Sequence, residues 1–332
     1  MREPWLKLRP DGRGRNYSPG RGLMESALRL AYGPFGWPAR LWGLVPAARR
    51  VRLVEHRLPL LPPRPGRRPL RVAFLSDLHL GPTTARATLD RAFELAGSLA
   101  PDLLLLGGDY VFLDATPALA AELTARVAAL PAPVKLAVLG NHDLWTAHDR
   151  LERALARAGA RVLVNEAARL PPPFDDVAVL GLDDPWTGAP DAAPALAACR
   201  GAGLTLALCH SPDGLAFARG PGVDLMLCGH THGGQIALPG PRPLVLPPGP
   251  YSRRLPFGLH RVEGTWLFVS RGVGATELPV RAYAPPDVAL FVLGPAGGGA
   301  QPLASSSGGG GQLSQTPAPS SATAPTESKA GT

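Results

Sequence analysis

The chain has 332 residues, 45% of them hydrophobic, enough for one large globular domain or two ordinary ones. The net charge of +8 is unevenly spread: residues 1–71 carry 16 Lys and Arg against 4 Asp and Glu, and residues 72–295 carry 17 against 21. Three cysteines exclude a disulfide framework, and no apolar run is long enough for a helical membrane span.

Cys209 and Cys228 close apolar runs, where a free thiol behaves as a small buried hydrophobe, so the expected compartment is reducing and cytoplasmic. The polar, arginine-rich start does not read as a secretory leader. Residues 1–20 read as disordered. Leu23, Ala27 and Leu30 then recur at helical spacing, followed by Trp37 and the apolar stretch 41–45. Tryptophan and leucine beside arginine suit either the anionic inner face of a membrane or a helix packed on the body. Residues 1–50 are therefore a basic arm, partly disordered, with a candidate membrane-surface segment.

The folded domain is expected over residues 51–295. Residues 51–57 and Leu70–Leu75 read as strands around a Pro-rich loop, and 84–99 as a helix with Leu89, Phe93 and Ala96 on one face. Leu103–Leu106 is apolar throughout, as strands covered on both faces are. Thr116-Pro117 reads as a helix cap, opening a helix to about residue 130. Strands at 134–139, 177–182, 204–209, 223–228, 266–270 and 288–293, with helices at 146–158 and 192–200, complete an α/β pattern of central sheets covered by helices. From residue 296 the chain is rich in Gly, Ser, Ala, Pro and Thr, and is expected to be a disordered tail.

Five segments stand where a strand gives way to a loop: Asp77-Leu78-His79, Gly107-Gly108-Asp109, Gly140-Asn141-His142-Asp143, Cys209-His210 and Gly229-His230-Thr231-His232-Gly233-Gly234-Gln235. In α/β proteins the carboxyl ends of neighbouring strands face one crevice, so groups distant in sequence converge there. Five of the eight histidines lie in these segments; His56, His148 and His260 are expected to be solvated or capping. The set supplies two carboxylates, an amide oxygen and four imidazoles, with His142 left over. That suffices for two metal ions bridged by a carboxylate, and mixed imidazole and carboxylate donors favour Mn, Fe, Zn or Ni.

In this order the five segments resemble the calcineurin-like metallophosphoesterase superfamily, whose pattern runs Asp-x-His, Gly-Asp, Gly-Asn-His-Asp/Glu, a lone His and Gly-His-x-His. The resemblance covers roughly residues 70–293. It implies two central mixed β-sheets packed as a sandwich between helices. Ser76-Asp77-Leu78-His79-Leu80-Gly81, the Gly233-Gly234-Gln235 extension and Ser270-Arg271-Gly272-Val273-Gly274 are similar to one bacterial, membrane-associated subgroup. Some of its members are UDP-2,3-diacylglucosamine pyrophosphohydrolases.

The resemblance implies that Asp77, His79 and His232 hold one divalent metal, and that Asn141, His210 and His230 hold a second. Asp109 would bridge the two, and a hydroxide between them would attack phosphorus. His142 would act as the acid beside the site, its alternative role being to position Asn141. Asp143 would orient neighbouring groups. Arg271 and Arg281 are candidate phosphate clamps or solvated surface residues. Asp183-Asp184 reads as a capping or supporting pair, Gln235 as a loop residue or one near the metals, and Arg253-Arg254 as a solvated turn or headgroup contact. Leu244-Val245-Leu246 could line an acyl groove or cover the core.

The expected function is a dinuclear phosphoesterase acting on a phosphodiester or pyrophosphate, on a small-molecule or lipid-linked substrate. The competing readings are a nuclease or cyclic-nucleotide phosphodiesterase, and a non-catalytic scaffold of the same fold. An acidic body without a base-reading module argues against nucleic acid, and an intact donor set argues against the scaffold.

Overall fold

A computed structural model describes residues 13–33, 36–218 and 222–296. The first twelve residues and the tail from 297, both read as disordered from sequence, lie outside the described residues, as do Pro34 and Phe35.

The strands in chain order are β1 (Arg52–Leu61), β2 (Leu70–Leu75), β3 (Leu103–Leu106), β4 (Val134–Ala137), β5 (Ala160–Val162), β6 (Glu166–Arg169), β7 (Val177–Gly181), β8 (Leu204–Leu208), β9 (Leu225–Cys228), β10 (Ala237–Leu238), β11 (Arg242–Pro243), β12 (Gly258–Val262), β13 (Thr265–Val269) and β14 (Asp287–Pro295). The helices are α1 (Pro19–Tyr32), α2 (Trp37–Gly43), α3 (Arg86–Ser98), α4 (Pro117–Ala128), α5 (Asn141–Leu144), α6 (His148–Arg157), α7 (Ala193–Cys199) and α8 (Pro250–Arg254).

Two six-stranded sheets form the body, ordered β1-β14-β2-β3-β4-β5 and β12-β13-β9-β8-β7-β6, with β10-β11 as a separate hairpin. Each sheet has a parallel centre (β2 to β5, and β7, β8, β9 and β13) finished by antiparallel neighbours, so both are mixed.

Alternation along each strand builds three apolar layers. Val72 and Phe74 of β2, Leu103 and Leu105 of β3, and Leu206 and Leu227 of the other sheet meet between the sheets. The intervening residues, Ala73, Leu75, Leu104 and Leu106, face α3, α4 and α6 through Phe93, Leu123 and Leu151. On the far side, Ala207, Met226 and Cys228 cluster with Ala195 and Cys199 of α7. The result is the helix-flanked sandwich expected from sequence.

Local signals set the element ends. Thr116 accepts from the Leu119 amide at 3.2 Å with Pro117 in the first turn of α4, and Ser18 caps α1 in the same way through the Arg21 amide at 3.1 Å. Strand β1 runs past its expected end through Pro59, which an edge strand tolerates. His56 is not solvated: its ring is packed between Phe268 and Phe291, at centroid distances of 5.4 and 5.1 Å.

The arm departs most from expectation. Residues 13–20, read as disordered, lie against the body because Arg13 is buried there, donating to Asp183 (2.9 Å) and Glu152 (3.0 Å). Farther along, Glu25 of α1 is fully buried and accepts from Tyr17 and Arg29, and Arg29 also reaches Asp114. Burying a carboxylate is costly unless it is paired and hydrogen-bonded in this way. No helix among the described residues is long and apolar enough to cross a membrane.

Candidate metal centre

The five sequence segments converge at the carboxyl ends of β2, β3, β4, β8 and β9. Sharp turns at those ends aim the side chains inward. Asp77, His79, Asp109, His230 and His232 all have positive φ, between 45° and 72°. That conformation is costly for residues with a Cβ, and such strain gathers at functional sites. At Gly229 a Cβ would run into the Asp77 carboxylate and the Ser76 hydroxyl, so only glycine lets this turn approach β2.

Asp77, His79 and His232 form one group able to hold a cation; His79, Asp109 and His142 form a second, and Asp109, His210 and His230 a third. The Nε2 atoms of His79 and His232 face each other at 3.1 Å. His210 Nε2 lies 3.2 Å from Asp109 Oδ2, from Asn141 Oδ1 and from His230 Nδ1. Asp109 Oδ1 accepts the His142 amide at 2.9 Å. All these residues are buried except His230, which is partly exposed.

The electrostatics suit cation binding. Burial lowers the pKa values of His79, His230 (to about 3) and His232, which keeps their nitrogen lone pairs free. Burial works against Asp109, but His210 and His142 outweigh it and hold the carboxylate well below its usual range. For His210 burial is likewise outweighed, here by Asp109, and its pKa rises. Burial lifts Asp77 to about 6 against the pull of His210. Imidazole nitrogens that face one another at 3.1 Å (His79 and His232) and 3.2 Å (His210 and His230), with an Asp109 oxygen 3.6 Å from one pair and 3.2 Å from the other and the Nδ1 of His79 buried and unpartnered, are a donor set that a divalent cation fits.

Supporting residues hold this set. The Asp143 carboxylate accepts the amides of Asp109 (2.8 Å), Tyr110 (2.8 Å) and Gly140 (3.0 Å), so it pins the Asp109 turn, the orienting role expected for it. The His210 Nδ1–H donates to the Gly107 carbonyl at 2.8 Å, which turns Nε2 inward. His142 donates from Nδ1 to the Phe112 carbonyl at 2.8 Å, and burial lowers its pKa. Gln235 ties its loop to Thr276 and Leu278, the loop role rather than a place at the metals. Asp184 accepts the Thr187 amide in a turn, and Asp183 anchors Arg13.

The two candidate phosphate clamps sit elsewhere. Arg281 is half-buried behind His232, donating to the carbonyls of Gly274 (2.8 Å), Ala284 (3.1 Å) and Arg271 (2.7 Å), with Nη2 3.0 Å from His232 Nδ1. Arg271 stacks 4.0 Å over the Phe257 ring and faces Asp287. Neither borders the cavity of about 430 Å³ that opens over the cluster. Its walls include Asn141, His142 and His232, together with the apolar Trp145, Trp186 and Leu246. Arg21 of the arm and Glu277 also face this space. Sequence reasoning missed both, since no motif marks them; the only trace was the four-residue spacing of Arg21 and Glu25.

Residues 70–234 match the family model described as calcineurin-like phosphoesterase. The chain is also 32% identical over 246 residues to the Escherichia coli (strain K12) protein "Phosphodiesterase YaeI", covering 73% of this chain and 87% of that one. The chain is a calcineurin-like phosphoesterase. It is 29% identical to the Bacillus subtilis (strain 168) "Uncharacterized metallophosphoesterase YkuE", covering 67% of this chain and 78% of the relative. It is 30% identical to the Danio rerio "Transmembrane protein with metallophosphoesterase domain", covering 76% of this chain and 60% of that protein. As a member of the family, this phosphoesterase is a hydrolase of phosphoric esters that works with divalent metal ions, and the His and Asp cluster is where its residues can hold them.

Proposed function

We propose that this phosphoesterase holds two divalent metal ions, one on Asp77, His79 and His232, the other on Asn141, His210 and His230, with Asp109 shared. It would use them to hydrolyse a phosphodiester or pyrophosphate bond. The observation that carries the reading is the position of Asp109, whose carboxylate serves the His79 side and the His210–His230 side alike. Bound there, the metals supply positive charge that polarises the phosphoryl group and lowers the pKa of water.

The chain's own residues provide the rest. His142 is anchored through Nδ1 on Phe112, so Nε2 is the nitrogen free to carry a proton toward a leaving oxygen. Asp143 keeps Asp109 in place by fixing four amides of its turn and the next. Trp145, which packs against the His142 ring, Trp186 and Leu246 give the cavity an apolar lining beside the cluster. An apolar wall beside a phosphoryl site suits a substrate with an apolar arm, of which a lipid-linked diphosphate such as UDP-2,3-diacylglucosamine is the proposed class. Val245 and Leu278, both exposed, continue this wall to the surface.

The arm extends the reading to an anionic membrane surface. Its outward residues include Leu30 and Leu44, 84% and 80% exposed, with exposed Arg40, Arg49 and Arg50 nearby.

With the manganese-loaded protein and bis(4-nitrophenyl) phosphate, Asp109→Asn and His142→Ala should each lower kcat by at least about 100-fold while the fold is kept. Full activity in both refutes the mechanism, and fewer than two metals per active chain refutes the dinuclear site. Turnover on UDP-linked lipid should exceed that on DNA and cyclic nucleotides; the reverse order rejects the lipid class. Flotation with anionic vesicles should be lost in a Leu30→Asp, Leu44→Asp double variant, and unchanged flotation removes the membrane from the account.

A further inference from the structure

Helix α1 borders the mouth of the cavity, and one of its side chains enters it. Arg21 Nη2 lies 3.3 Å from Nδ1 and 3.4 Å from Nε2 of His142. The guanidinium is held on its other sides: Nε donates to Glu25 at 3.1 Å, Nη1 donates to Glu277 at 3.2 Å, and Cζ sits 4.8 Å from the Trp145 ring centroid. Glu25 is itself fixed by Tyr17 and Arg29, so the side chain of Arg21 is positioned before any ligand arrives. A guanidinium carries five N–H donors, and here the carboxylates take one from Nε and one from Nη1. Nη2 has no carboxylate partner among the described residues and faces the imidazole and the cavity. Among the described residues lining that cavity, Arg21 is the one arginine or lysine.

We propose that Arg21 is the phosphate clamp of this site: its Nη2 donates to a non-bridging oxygen of the phosphoryl group seated over the His and Asp cluster, which makes α1 part of the active site. The assignment rests on the phosphoesterase reading above. Planar, always charged and pre-oriented, a guanidinium is the side chain best matched to phosphoryl oxygens. The clamp role for which the sequence offered Arg271 and Arg281, neither of which lines the cavity, thereby passes to a residue from the far end of the chain. The alternative is a staple: Arg21 would only tie the arm to the loop bearing Glu277.

The full-length, manganese-loaded protein separates the two. Binding of inorganic phosphate is measured by calorimetry, with KM and kcat on bis(4-nitrophenyl) phosphate and a thermal melt as fold control. Arg21→Ala should weaken phosphate binding about 10- to 100-fold and raise KM, with Arg21→Lys recovering part of the loss. Glu277→Gln cuts the tie but keeps the cation, and should bind phosphate as tightly as the unaltered protein or more tightly. Equal phosphate affinity with and without Arg21, no phosphate binding by the unaltered protein, or an equal loss in Glu277→Gln overturns the proposal. If the unaltered protein binds phosphate through Arg21 yet hydrolyses no ester, the functional reading fails while the clamp stands.

Discussion

Replacing Arg281 with lysine tests how the second half of the domain supports the metal centre. The guanidinium reaches four carbonyls, that of His232 among them, and His232 Nδ1 from a position that does not line the cavity, and burial brings its pKa down to about 10. Lysine keeps the positive charge, so the electrostatic effect on a bound cation is largely unchanged. What is lost is the planar fork that contacts the His232 ring while holding the carbonyls behind it. A hydrogen bond to a charged group contributes about 1.5–3 kcal/mol, and lysine cannot reproduce all five contacts. The expected result is a destabilisation of about 2 kcal/mol, read by urea denaturation, with metal affinity reduced at least about tenfold. Calorimetric titration of manganese into the metal-free protein measures the second effect. A folded Arg281→Lys variant with unchanged metal affinity would show that His232 needs no support from behind, and would refute the reasoning.

Two further outcomes are expected. Asp143→Ala removes the acceptor of four buried amides, those of Asp109, Tyr110, Val111 and Gly140; each orphaned group costs about 1–3 kcal/mol, partly offset because a buried carboxylate, raised to about 8 by burial and Asp109, is also removed. A net loss of about 2–4 kcal/mol in denaturation, with weaker metal binding, is expected, and unchanged stability and binding would show that the Asp109 turn holds itself. Burial between Phe268 and Phe291 holds His56 down at about 4 from its ordinary 6.5, so the unfolded chain takes up its proton first as pH falls. The stability from burying the neutral ring is whole above pH 6.5 and declines toward pH 4, by about 2 kcal/mol at pH 5; in His56→Phe that part of the slope should vanish, and identical slopes would refute it.

The legible parts of the molecule were those with dense local signals. Leu103–Leu106 could only be a strand covered on both faces, and Thr116-Pro117 marked a helix start to the residue. The convergence of the candidate cluster was legible because five short motifs stand at strand ends. Short strands such as β5 and β6 were not, since three or four residues bearing arginine and glutamate carry no periodicity. Arg281 and Arg21 show the deeper limit. A sequence identifies a cation without stating which way it points, and direction depends here on partners more than 40 residues away, His232 for one and Glu277 for the other. His56 was misjudged for the same reason: its neighbours Phe268 and Phe291 lie on other strands.

The strand order β1-β14-β2 has a consequence for how the molecule is made. The last strand of the domain inserts between the first two, pairing parallel with β1 and antiparallel with β2. Until residue 295 has been synthesised, both inner edges of that sheet lack their partner and present open rows of amides and carbonyls. Such long-range closure slows folding, because the entropy of a loop spanning most of the chain is lost before any contact repays it. The turn that carries Asp77 and His79 follows β2 directly, so a nascent chain cut short before β14 would hold every candidate ligand in its sequence and still have an unfinished sheet beneath the first two.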